Sequence, residues 1–101
     1  KKNKTCSVHY GLVLTPIELM DNDHILKGLK IDAVHLSGTA ALHGLRPGDI
    51  ILSAGREPLS SLNAWSKNMY EKNKIKLLDI YRNKHHIMIA LPLLATKPNY
   101  K

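Results

Sequence analysis

A chain of 101 residues, 44% of them apolar and one a cysteine, has room for one small hydrophobic core and no intrachain disulfide or four-cysteine metal site. Its net charge of +7 does not mark a nucleic-acid-binding face, because Lys1, Lys2, Lys4, Lys97 and Lys101 lie near the termini and residues 5–96 hold ten Lys/Arg against eight Asp/Glu. No apolar run is long enough to span a bilayer as a helix, and no signal-peptide pattern is present.

The chain begins Lys1-Lys2-Asn3-Lys4 without an initiator methionine. It reads as a piece of a longer protein, so missing targeting signals say nothing about location. Residues 1–7 read as a disordered polar tail with Cys6 as an incidental thiol. Val8 to Leu19 is rich in strand formers, and Pro16 restricts that strand to an edge or a bend. Asp21-Asn22-Asp23-His24 reads as a polar loop, without the further ligands and late glutamate of a calcium loop. Leu29 to Leu36 alternates apolar and polar residues, and Val34 and Leu36 break the phase as a bulge or twist would.

Residues 37–55 carry the densest set of signals. Ala40, Ala41 and Leu42 predict a short helix that Gly44 stops. Pro47-Gly48 predicts a type II turn, with Asp49 accepting a local backbone hydrogen bond beyond it. Ile50-Ile51-Leu52 predicts a buried strand. After the connector Arg56–Leu59, Ser60 and Ser61 offer an N-cap for a helix to about Lys72, with Leu62, Trp65 and Met69 on one stripe. Ile75–Tyr81 and Ile87–Leu91 predict two strands joined by a turn at Arg82-Asn83-Lys84, and residues 94–101 a tail.

Catalytic chemistry finds no support along this chain. No nucleophile-elbow pattern is present. The adjacent His85 and His86 point to opposite faces of a strand, and His9, His24, His35 and His43 are scattered, so no metal set and no cofactor are expected.

The run Ser37-Gly38-Thr39-Ala40, then Gly44-Leu45-Arg46-Pro47-Gly48-Asp49-Ile50-Ile51-Leu52, resembles the central signature of PDZ domains, above all those of bacterial HtrA/Deg-type serine proteases. The departure is Thr39, where the family often has proline. The resemblance covers residues 8–93 and implies an α+β fold: a partly open, PDZ-like β-barrel or sandwich of five to six strands with two helices. Two strands follow the long helix, which implies the circularly permuted strand order of bacterial PDZ domains.

PDZ domains bind peptide C-termini by adding the peptide as a strand beside the long helix. A terminal carboxylate needs clustered backbone N–H donors, and close backbone approach favours glycine. The resemblance therefore implies a carboxylate loop at His9, Tyr10, Gly11 and Leu12, and a peptide pocket formed by Tyr10, Leu12, Leu14, Trp65, Asn68 and Met69. His9 stands where the two-glycine form has its first glycine, and Lys4 is the nearby basic residue. The same apolar residues would also serve a simple core, and Trp65 would also serve as a plug.

The implied function is capture of hydrophobic C-termini or extended unfolded segments, for substrate recognition or regulation in a periplasmic or envelope serine endopeptidase. The implied partners are those polypeptides, a protease domain upstream in the same chain, and further copies in the full-length protein. The alternative is an interaction or assembly domain of a secretion-system or other envelope protein, without a free groove. An insert within a processing or intramembrane protease is a third reading.

Overall fold

The computed structural model describes residues 8–36, 38–71 and 74–93, with the backbone alone for Val8 and His9. Both expected tails, Lys4, Cys6, Ser37 and Lys72 lie outside the described residues. Two features that frame the fold are tight hairpins whose turn residues adopt the left-handed conformation. The first joins β1 (Val8–His9) to β2 (Leu12–Asp21) through Tyr10 and Gly11, at φ of 58° and 81°. The second joins β2 to β3 (His24–Val34) through Asn22 and Asp23, at 50° and 69°. Positive φ at both central residues matches the right-handed twist of the flanking strands.

The polar stretch 21–24 is therefore a two-residue turn, and β3 starts at His24, five residues before the alternation that begins at Leu29. Side chains at 25–28 show no clean period because this half of the hairpin projects past the core. The expected bulge falls at Asp32: Val13 pairs with Ala33 and Leu14 with Ile31, so Asp32 has no opposite number. Its carboxylate accepts a hydrogen bond from the Thr15 hydroxyl.

Helix α1 (Thr39–Leu42) ends at Gly44, whose φ of 95° suits glycine. Gly48 has a φ of 94° and the Asp49 N–H bonds the Arg46 carbonyl at 3.2 Å, which closes the expected turn. Strand β4 (Ile50–Ala54) follows, then the two-residue β5 (Glu57–Pro58). Helix α2 (Leu62–Asn68) is capped by Ser61, whose hydroxyl accepts the Ala64 N–H at 3.0 Å. It stops at Asn68, short of Lys72. The carbonyls that would continue it are taken from outside, Asn68 by Lys76 Nζ at 2.8 Å and Met69 by the Tyr10 hydroxyl. Strands β6 (Ile75–Arg82) and β7 (His85–Pro92) form the closing hairpin.

All strand pairs are antiparallel, in the order β1-β2-β3-β4-β6-β7, with β5 beside β4. The expected architecture of five to six strands with two helices thus holds, as five strands of five residues or more plus two short bridges. Leu12, Leu14, Leu29, Ile31, Ile51, Leu59, Trp65, Met69, Leu78, Ile80 and Leu91 fill the core between sheet and α2. Among the described residues, no helix is long and apolar enough to cross a membrane.

Candidate functional site

The edge of β2 is the place to begin, because its hydrogen-bonding sides can be assigned residue by residue. In a two-residue hairpin the closing pair exchanges both backbone bonds, and the sides then alternate. Asp21 closes against His24, so Asp21, Leu19, Ile17 and Thr15 face β3. An independent bond agrees: the Gly11 carbonyl, of the same parity, accepts the His35 N–H at 2.7 Å. Leu12, Leu14, Pro16, Glu18 and Met20 therefore face the other way. Pro16 has no N–H to give, and it sits on the side where β3 does not ask for one.

Strand β1 occupies the start of this outer side. Val8 pairs with Val13 and His9 with Leu12, and no described residue pairs with the outer edge beyond Val13. Helix α2 runs beside β2 in the opposite sense. Its end meets the β1–β2 turn through the Tyr10–Met69 bond, and the chain leading into it reaches the middle of β2 at Ser60. There Pro16, Ile17, Glu18, Lys27 and Ser60 line a concavity of about 350 Å³. A second, of about 170 Å³, is lined by Glu18, Leu19, Met20 and Ile25. Met20 and Ile25, paired across the hairpin, are 63% and 61% exposed.

The residues expected to form a pocket are brought together, but as core. Tyr10, Leu12, Leu14, Trp65 and Met69 are all at most 1% exposed. The Tyr10 ring stacks on Tyr70 at 5.4 Å and meets the Trp65 ring edge-on at 5.8 Å. Asn68 is half-buried, and its side-chain amide donates to the Ala64 carbonyl of its own helix at 2.9 Å. Of the expected carboxylate loop, His9 serves as β1 backbone and Tyr10-Gly11 as the turn. Gly11 does meet another backbone closely, as its presence in a strand predicts, but the neighbour is Gly38 of this chain. A Cβ on Gly11 would lie 3.2 Å from the Gly38 Cα, at a φ that already favours glycine.

Two features had no signal in the linear sequence. Asp49 is almost fully buried and holds Arg82, with Nε to Oδ1 at 2.8 Å and an η nitrogen to Oδ2 at 2.6 Å. It also accepts the Arg46 N–H at 3.0 Å, the local bond expected of it. This pairing raises the Arg82 pKa despite an opposing effect of burial. Tyr81, nearly buried on β6, meets His86 edge-on, and the Asp21 carboxylate acts on its phenol. The edge position expected from Pro16 is observed: beyond Val13 the outer side of β2 has no strand partner among the described residues. A proline inside a strand marks the side without a partner, and reading on from it toward the hairpin tip gives Glu18 and Met20.

These features define a PDZ-like fold, an antiparallel sheet with two helices in the strand order expected of the bacterial form. More particularly, it resembles the PDZ-like domains of HtrA-type serine proteases. A probable periplasmic serine endoprotease DegP-like from Halomonas elongata is 29% identical over 92 residues, 88% of this chain and 19% of that protein. The HtrA-type protease AlgW with decapeptide shares the fold at a TM-score of 0.67 and 17% identity, over 91% of this chain and 30% of that one. This chain thus spans less than a third of either. No family model matches it.

Proposed function

We propose that the chain is a peptide-binding module that captures extended polypeptide by strand addition along the outer edge of β2. In this reading it serves substrate recognition or regulation in an HtrA/Deg-type serine protease of the bacterial periplasm or envelope, with the catalytic residues in another part of the protein. The observation that carries the reading is the outer edge of β2 beyond Val13, which has no strand partner among the described residues and lies beside α2. Backbone pairing at such an edge supplies affinity with little demand on sequence, and neighbouring concavities select side chains. The relative named as a periplasmic endoprotease and the structural neighbour carrying a decapeptide support the context and the ligand class.

The burial of Leu12, Leu14, Trp65 and Met69 favours a second reading, a domain without a free groove that serves assembly. Amide-resolved titration separates the two. An extended apolar peptide should shift the amide signals of Glu18 and Met20 and slow their exchange with solvent. Unchanged β2 amides with every peptide tried, together with self-association of the domain, would give the second reading the advantage.

A further inference from the structure

The peptide-binding reading leaves open which part of a polypeptide the edge takes. We infer that it takes internal extended segments, along Pro16–Met20, and does not require a free C-terminus.

A terminal carboxylate would have to sit at the start of β2, and that place is filled from within. The outward N–H and carbonyl of Leu12 are paired with His9, as the closing pair of the β1–β2 hairpin. The turn itself is held from behind, with the Gly11 carbonyl bonded to the His35 N–H at 2.7 Å and Gly38 packed against it. The space a terminal side chain would need, between Leu12, Leu14, Trp65 and Met69, is closed by those residues and by the Tyr10 ring. A carboxylate ligand would have to displace β1 and Tyr10 together.

Farther along, the requirements of an internal segment are met. Beyond the Val8–Val13 pair, Glu18 and Met20 each face outward with an N–H and a carbonyl, and Pro16 with a carbonyl, and none of these has a strand partner on that side among the described residues. β1 already shows the antiparallel sense in which this edge accepts a strand, so an incoming segment continues the same lane toward the hairpin tip. On the core-side face, Pro16, Glu18 and Met20 with their cross-strand partners Lys27 and Ile25 would receive every second ligand side chain. Met20 and Ile25 are the exposed apolar pair there, so the segment carries an apolar residue at that position. Nothing in this stretch recognises a chain end.

The experiment compares one extended apolar peptide in two forms, acetylated and amidated at its ends or with a free C-terminal acid, titrated into the isotope-labelled chain. The expected result is affinities within about twofold of each other, with shifts centred on Glu18 and Met20. Glu18→Pro removes one outward N–H without touching the β3 ladder and should weaken both forms about tenfold. If that variant fails to fold, Met20→Glu, at an exposed position, should weaken both forms as well. Tighter binding of the free acid by tenfold or more, with shifts at Tyr10–Leu12, overturns this inference and leaves the peptide-binding reading standing. No binding by either form overturns both. Shifts at Glu18 and Met20 that grow with protein concentration alone assign the edge to a second copy, and shifts on deleting residues 1–7 assign it to the chain's own start; either result overturns the inference.

Discussion

The Tyr10 hydroxyl donates to the backbone carbonyl of Met69, across 59 residues of sequence, and both residues are buried. This bond ties the β1–β2 turn to the end of α2. It also decides the shape of the region, because the ring that carries the hydroxyl fills the space between strand and helix. Tyr10→Phe keeps the stacking on Tyr70 and Trp65 and leaves the Met69 carbonyl without this donor. The expected loss is about 1–3 kcal/mol of unfolding free energy, measured by denaturant titration. Tyr10→Ala removes the ring too, and should cost about 3–5 kcal/mol. Equal stability of Tyr10→Phe and the parent chain would show that the bond contributes nothing.

The Asp49–Arg82 pair holds the Pro47-Gly48 turn to the closing hairpin, with Arg82 also donating to the Gly44 carbonyl at 2.8 Å. Asp49→Ala leaves the guanidinium, whose side chain is 22% exposed, without its carboxylate and the Arg46 N–H without its acceptor. Breaking one side of a buried pair costs about 3–5 kcal/mol, and the partial exposure of Arg82 puts the expected loss at the lower end. A double-mutant cycle with Arg82→Met should show strong coupling; additive losses would rule the pair out as a unit.

Gly38 packs against the β1–β2 turn so closely that a Cβ on it would lie 2.8 Å from the Tyr10 carbonyl oxygen. Gly38→Ala should push the turn away and cost about 1–3 kcal/mol. The amide signals of Tyr10, Gly11 and Leu12 should move with it. Signals that stay in place while stability falls would mean that the strain is absorbed on the α1 side.

The Tyr81 phenol is pushed above its ordinary value near 10, first by burial, then by the Asp21 carboxylate acting on it. A raised folded-state pKa means that the neutral form is favoured by folding. Its contribution is fully present below the unfolded value, near pH 10, and is lost as pH rises through the folded value. Phenolate absorbance should show a late step, and Tyr81→Phe should lower its amplitude by one tyrosine. The variant should also fall less steeply in stability above pH 10 than the parent chain. A late amplitude unchanged in Tyr81→Phe would assign all of it to other tyrosines.

What sequence alone determined is the frame. Gly44, Pro47-Gly48 and Asp49 dictate local backbone geometry, and the apolar run Ile50–Leu52 dictates burial, so their elements were legible without the structure. Period-two and helical stripes likewise placed β6, β7 and α2. Tertiary structure decided the rest. Whether Leu12, Leu14, Trp65 and Met69 line a groove or close a core depends on what lies between them, and that is Tyr10, anchored to a carbonyl 59 residues away. Alternation along one strand is the same for both outcomes. The α2 end was overestimated for a related reason, since its last carbonyls are taken by Tyr10 and Lys76 from other elements. That the outer side of β2 has no partner beyond Val13 among the described residues emerges only once β1 is seen to fold back on Leu12 and Val13. Local conformational preference is written in neighbouring residues; occupancy of an edge or a pocket is settled by residues distant in sequence, or by a hairpin whose register only the folded chain displays.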